Sequence, residues 1–132
     1  VQAALRPGGV FVALAYGTFS IDGVADEITQ CVFYDRVAPY QAEGNRQVAA
    51  GYAGIVLPFE RVDAPVFAIT CSWSLDQLLG YAGTWSAVAR MRSEAGVDPL
   101  ADYRAALEPL WGDAQTPRGV HMPLAVKAGR HT

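Results

Sequence analysis

The most constraining stretch is VFVALAY, residues 10–16, which follows directly on LRPGG. A half-exposed strand alternates polar and apolar residues, so an unbroken apolar run predicts a strand buried on both faces of a sheet. Val1, Ala3, Ala4 and Leu5 read as the last turn of a helix, Arg6 suits a helix C-terminus, and Pro7-Gly8-Gly9 stops it. A turn this short does not hold its shape alone in water. Parallel strands are joined by helical crossovers, so a helix end, a tight turn and an apolar strand make the second half of a βαβ unit. On this reading the preceding strand and the body of the crossover helix lie upstream. The lack of an initiating Met fits loss of an upstream half.

A chain of 132 residues is expected to form one domain with a modest core. With 52% hydrophobic and 17% charged residues it should fold, and the apolar surplus suggests surface covered by something outside the chain. A net charge of −3 with no basic stripe argues against nucleic acid and against an anionic membrane surface. Cys31 and Cys71 sit in apolar stretches, too few for a disulfide framework, and read as reduced core residues of a cytoplasmic protein. No apolar run is long enough to span a bilayer, and no signal-peptide pattern precedes the first strand.

Residues 1–17 are thus a helix end and a central strand. Residues 18–65 read as a helical insert, in which Val24, Ile28, Cys31 and Val32 recur at helical spacing up to Pro39. Asn45 to Tyr52 suggests a short helix, and LPFERVDAP a loop and turn. VFAITCSW, residues 66–73, is rich in β-branched and aromatic residues and predicts a strand. Residues 74–112 predict three helices: one opened by the capping box Ser74 to Gln77, one capped by Thr84 and stopped by Gly96, and one begun by Asp98-Pro99. Pro109 must kink or end the last of these. Residues 118–129 alternate as a strand, with Val120, Met122, Leu124 and Val126 on one side.

The motifs of common enzyme chemistry are missing. There is no metal-ligand spacing, no G-x-S-x-G elbow, no Walker loop and no G-x-G-x-x-G. What stands out is aromatic density: Tyr34, Tyr40, Tyr52, Trp73, Tyr81, Trp85, Tyr103 and Trp111. Packing is the commoner role for any one ring; a pocket wall is the functional alternative. Trp85 and Ser86 open the helix in GTWSAVARMR, where free backbone N–H groups favour an anion. Arg90 and Arg92 fall on different faces of that helix, so at most one can face such a pocket, and a solvated surface role is the commoner one. Tyr16 and Gly17 follow the carboxyl end of the first strand, the edge where open α/β sheets bind ligands.

LRPGGVFVALAYG resembles the fifth-strand region of class I S-adenosylmethionine-dependent methyltransferases. YAGTWSAVARMRSEAGVDPL, LEPLWGD and RGVHMPLAVKAGR resemble the C-terminal portion of methyltransferases similar to trans-aconitate methyltransferase. The resemblance implies an α/β fold: the C-terminal part of a Rossmann-like sheet, strands five, six and seven, with a helical insert that covers substrate. Strand seven would run antiparallel between five and six, and Pro123 predicts a bulge or pairing that begins only after it. The resemblance also implies that Tyr16, Tyr40, Tyr52, Trp85 and Ser86 lie on the acceptor-substrate side. No catalytic residue, metal ligand or cofactor contact is assigned to this chain, because S-adenosylmethionine would be held by the N-terminal half. The implied function is acceptor binding for transfer of a methyl group to a small molecule, a carboxylate being one candidate. The chain alone would then be inactive. The alternative is a non-catalytic remnant that binds a ligand, or that dimerises to replace the missing half.

Overall fold

Pro7 and Gly8 turn the chain out of a single exposed 3-10 turn, Gln2–Ala4, and Gly8 takes the left-handed backbone (φ 80°) that this reversal needs. The computed structural model describes all residues, Val1–Thr132. The elements are β1 (Val10–Tyr16), α1 (Gly23–Ile28), a π-helical stretch (Thr29–Tyr34), α2 (Asp35–Val37), a 3-10 turn (Ala38–Tyr40), α3 (Glu43–Ala49), β2 (Glu60–Val62), β3 (Ala68–Trp73), α4 (Leu75–Gly83), α5 (Ser86–Ala95), α6 (Pro99–Trp111) and β4 (Arg118–Arg130). No helix is long and apolar enough to cross a membrane. The chain divides into two compact units: Val1–Phe19, Glu43–Ile69 and Met122–Thr132 form unit 1, and Ser20–Ala42 with Thr70–His121 form unit 2.

In unit 1, β1 and β4 pair antiparallel over their full shared length, Val10 opposite Arg130 and Tyr16 opposite Leu124. The ladder with β1 starts directly after Pro123, as a residue without an N–H requires. β2 pairs antiparallel with Ala128–Arg130. β3 also pairs with β4, so the last strand is the shared partner of the other three. β2 falls inside LPFERVDAP, read from sequence as loop and turn. Three residues carry too short a pattern to announce a strand; β4 supplies the pairing that makes it one.

β1 corrects a further expectation. It is not covered on both faces: Phe11, Ala13 and Ala15 are half-buried, but Val10, Val12, Leu14 and Tyr16 are exposed, Leu14 by 59%. The half-buried face meets Phe59, whose ring centroid lies 5.9 Å from that of Phe11. Nothing in the chain covers the other face. Unit 1 accordingly buries only Phe19, Met122 and Ala128 among its apolar side chains.

Unit 2 carries most of the core. Its helical stretch from α1 to α2 buries Ala25, Thr29, Phe33 and Val37, a strict spacing of four. At 3.6 residues per turn, an α-helix carries each i+4 residue about 40° past the last. The wider π winding from Thr29 to Tyr34 takes up that drift and keeps the four on one face. The sequence reading placed the buried face one residue off: Val24 and Cys31 are exposed, and Ile28 and Val32 are only half-buried. Cys31 is thus a surface thiol, and Cys71 is half-buried.

The capping box that opens α4 is present, with Ser74 Oγ accepting from Gln77 N–H and Gln77 Oε1 accepting from Ser74 N–H. Asp98 caps α6 by accepting from Leu100 N–H at 3.0 Å. Thr84 does not cap α5. It closes α4, its hydroxyl donating to Tyr81 O, and Trp85 takes the N-cap position. Pro109 neither ends nor breaks α6, which runs on to Trp111 before Gly112.

Candidate functional site

A cleft with a charged side chain beside it lies in unit 1, and its geometry begins at the end of α3. Gly51 N–H donates to Val48 O and Tyr52 N–H to Gln47 O, the paired bonds of a Schellman stop. Gly51 takes φ 63° at no steric cost, but Tyr52 follows with φ 58°, the one non-glycine residue in the left-handed region. That conformation costs roughly 1–2 kcal/mol in an L-residue with a side chain. Two carbonyls of this loop face β4, where Lys127 Nζ donates to Tyr52 O at 2.8 Å and to Ile55 O. Lys127 is the only lysine in the chain. No carboxylate pairs with it; its two acceptors are neutral.

The same loop walls a cleft of about 620 Å³. Gly51, Ala53, Ile55 to Leu57 and Phe59 form one side, Arg61 to Val66 another, and Leu124 with Val126 to Ala128 of β4 complete it. The opening exists because β4 changes partner there. Ala128–Arg130 pair with β2, and Leu124 N–H donates to Phe67 O at 3.0 Å, while Asp63 to Val66 between them makes no ladder bond. At the rim Arg61 Nε donates to Asp63 Oδ1 at 2.9 Å, so these two charges neutralise one another. The lining side chains are mostly apolar, polar atoms share the surface with them, and Lys127 is the one cation there without a carboxylate partner.

Unit 2 presents a different arrangement, an aromatic cluster built on α5, α6 and the π stretch. Phe33 stacks on Tyr103 with centroids 4.9 Å apart and planes 10° from parallel. Trp85 lies 5.3 Å from Phe33 and stacks on Tyr34 at 5.7 Å, and Tyr81 meets Trp85 edge-on at 6.4 Å. Beneath them Thr29 Oγ1 donates to Ala25 O at 2.7 Å. With its proton so used, it must accept from the Tyr103 hydroxyl, also at 2.7 Å. Burial pushes the Tyr103 hydroxyl up to about 12. No buried side-chain polar atom lacks a partner.

The five residues singled out from sequence fall in both units. Tyr16, at the end of β1, is exposed, and Tyr52 is half-buried with its carbonyl on Lys127. Tyr40, Trp85 and Ser86 lie in unit 2. Trp85 caps α5, Ser86 is its exposed first residue, and Tyr40 O accepts from Arg90 Nη1 at 3.0 Å one turn along the same helix. The structure thus groups these three on α5. Arg90 also bonds Glu94, and Arg92 pairs with Asp98, so both arginines serve the surface. Sequence reasoning missed Lys127, Phe59 and the Thr29–Tyr103 pair. A lone lysine inside an apolar strand was the one available signal for the first; the others depend on residues far apart in the chain.

Comparison with known proteins places the fold. No protein-family model matches the chain, and no curated protein matches it. A solved structure of a candidate type II methyltransferase from Anaeromyxobacter dehalogenans superposes with a TM-score of 0.85 at 38% sequence identity over 95% of this chain. The match spans 53% of that protein, so the present chain covers about half its length. The α/β fold described above is therefore methyltransferase-like, and corresponds to part of a larger chain.

Proposed function

We propose that this chain is the acceptor-binding half of an S-adenosylmethionine-dependent methyltransferase that acts on a small molecule. The observation that carries the reading is the 38% identity over 95% of the chain to about half of a candidate methyltransferase. S-adenosylmethionine supplies an activated methyl group when bound. The residues present do not fit it: the β1 to α1 connection has only Gly17 before Asp22, with no glycine-rich turn for a nucleoside. No donor-side step is therefore assigned to this chain. Its part is to hold the acceptor, and alignment in a dry site can supply about 7–11 kcal/mol of a barrier. Tyr16 and Tyr52 in unit 1, and Tyr40, Trp85 and Ser86 in unit 2, are the residues proposed for that side. A carboxylate acceptor is already nucleophilic and needs positioning rather than a general base. The donor-binding half would come from chain outside these residues, and the uncovered row Val10, Val12, Leu14 and Tyr16 of β1 is the surface it would meet.

Calorimetric titration with S-adenosylmethionine tests the reading. The 132-residue chain should bind none, and a polypeptide with the upstream half restored should bind it. In that longer protein Trp85→Ala should weaken acceptor binding far more than donor binding; equal loss of both would remove Trp85 from the acceptor side. The second reading, a non-catalytic dimer, is favoured by the same β1 row, which is apolar, uncharged and at a sheet edge. Light scattering separates the two: a stable dimer that Leu14→Asp dissociates supports it, and a monomer at high concentration rejects it.

A further inference from the structure

We infer that the cleft of unit 1 is a binding site for an amphiphilic monoanion, a single carboxylate on an apolar body of medium chain length. The inference stands apart from methyl transfer, since it concerns binding by this chain without any donor.

Three observations converge on it. The first is charge. An ammonium has three donors, and Lys127 spends two of them on Tyr52 O and Ile55 O. One is left, on a cation with no carboxylate partner, beside a cleft it helps to line. Arg61 and Asp63 cancel at the rim, so the net local charge is that of Lys127 alone. An anion is attracted there, and a second negative charge would find no second unpaired cation.

The second is apolar surface. The two most exposed large apolar side chains of the chain, Val66 at 98% and Val56 at 90%, both line this cleft. Exposed apolar side chains grouped at the mouth of a cleft offer surface that a ligand's hydrocarbon can cover. Leu57, Phe59, Val62 and Val126 continue the apolar surface inward. At about 620 Å³ the space falls within the range of small-molecule sites.

The third is backbone. Tyr52 holds a left-handed conformation that a tyrosine avoids, and the carbonyl of that same residue fixes the ammonium. Strain of this kind persists where the surrounding structure enforces a particular geometry. Here it pre-orients the one charged group of the cleft.

Octanoate, octanol and octylamine, which share one tail and differ in head-group charge, are the probes. Titrated into the full chain by calorimetry, octanoate should bind saturably at one site, with octanol weaker and octylamine weaker by about tenfold or more, the scale of one charged hydrogen bond. Lys127→Gln should lower octanoate affinity by a similar factor. Because that substitution also frees the 52–55 loop, Val66→Glu provides a second test at a fully exposed position, and should weaken octanoate several-fold while leaving the circular dichroism spectrum unchanged. Amide shifts on octanoate addition should concentrate at residues 51–66 and 124–128. Equal binding of octanoate and octylamine, no saturable octanoate binding, no effect of Val66→Glu, or shifts confined elsewhere would overturn the assignment.

Discussion

The bond between Tyr103 and Thr29 gives a prediction whose size and asymmetry both follow from geometry. Both residues are fully buried, and the proton order runs from Tyr103 hydroxyl to Thr29 Oγ1 and from Thr29 Oγ1 to Ala25 O. Tyr103→Phe removes the outer donor but leaves Thr29 still bonded to Ala25, so the cost is that of one ordinary net hydrogen bond, about 1 kcal/mol. Thr29→Val keeps the volume but strands the Tyr103 donor in the core, which costs about 2 kcal/mol or more. The double variant should lose less than the sum of the two, because the stranded donor goes with the ring hydroxyl. Trp73, Trp85 and Trp111 all belong to unit 2, so tryptophan fluorescence during urea unfolding reports this unit. A pH series adds a second readout. The Tyr103 hydroxyl is raised from 10.0 to about 12, so its contribution is complete below pH 10 and is lost as pH rises through 12, when the unfolded chain ionises first. Two pKa units correspond to about 2–3 kcal/mol, and Tyr103→Phe should lack that part of the alkaline decline. A Thr29→Val variant no less stable than Tyr103→Phe, or an identical alkaline slope in Tyr103→Phe and the parent, would refute the proton order.

Two further perturbations address the elements that frame the sites. Ser74→Ala deletes the acceptor of the α4 capping box and should cost about 1 kcal/mol in the same fluorescence assay. Gly129→Ala would place a Cβ 2.7 Å from Phe59 Cβ, and overpacking of this kind costs about 1–3 kcal/mol. Amide exchange at Glu60–Val62 should quicken as β2 is pushed from β4; unchanged exchange there would show that the segment shifts without strain.

The local signals in the chain were sound where the physics is local. Pro7-Gly8-Gly9 turns the chain, Ser74 and Gln77 cap one helix, Asp98 caps another, and VFVALAY and VFAITCSW contain the strands β1 and β3. Each of these depends on bonds and torsions within a few residues, which is the range over which sequence pattern acts. The candidate sites were less legible. Of the eight aromatic residues noticed in the sequence, Tyr34, Trp85 and Tyr103 pack around Phe33, while Lys127 reads there only as a position on one side of the last strand, because its partners lie 72 and 75 residues away.

The amino-acid order by itself therefore determined where most helices and strands lie and that the chain is α/β; the pairing of the last strand against the first was implied by the family resemblance. The order also determined that 10–16 is an apolar strand, but not what lies against it. Alternation, or its absence, records what a strand's faces tolerate; cover is supplied by other segments, and here one face has none within the chain. The π winding that aligns Ala25, Thr29, Phe33 and Val37, the three-residue β2 and the cleft at Lys127 were likewise decided only by tertiary structure. Each arises from contacts between parts of the chain whose separation no local periodicity encodes.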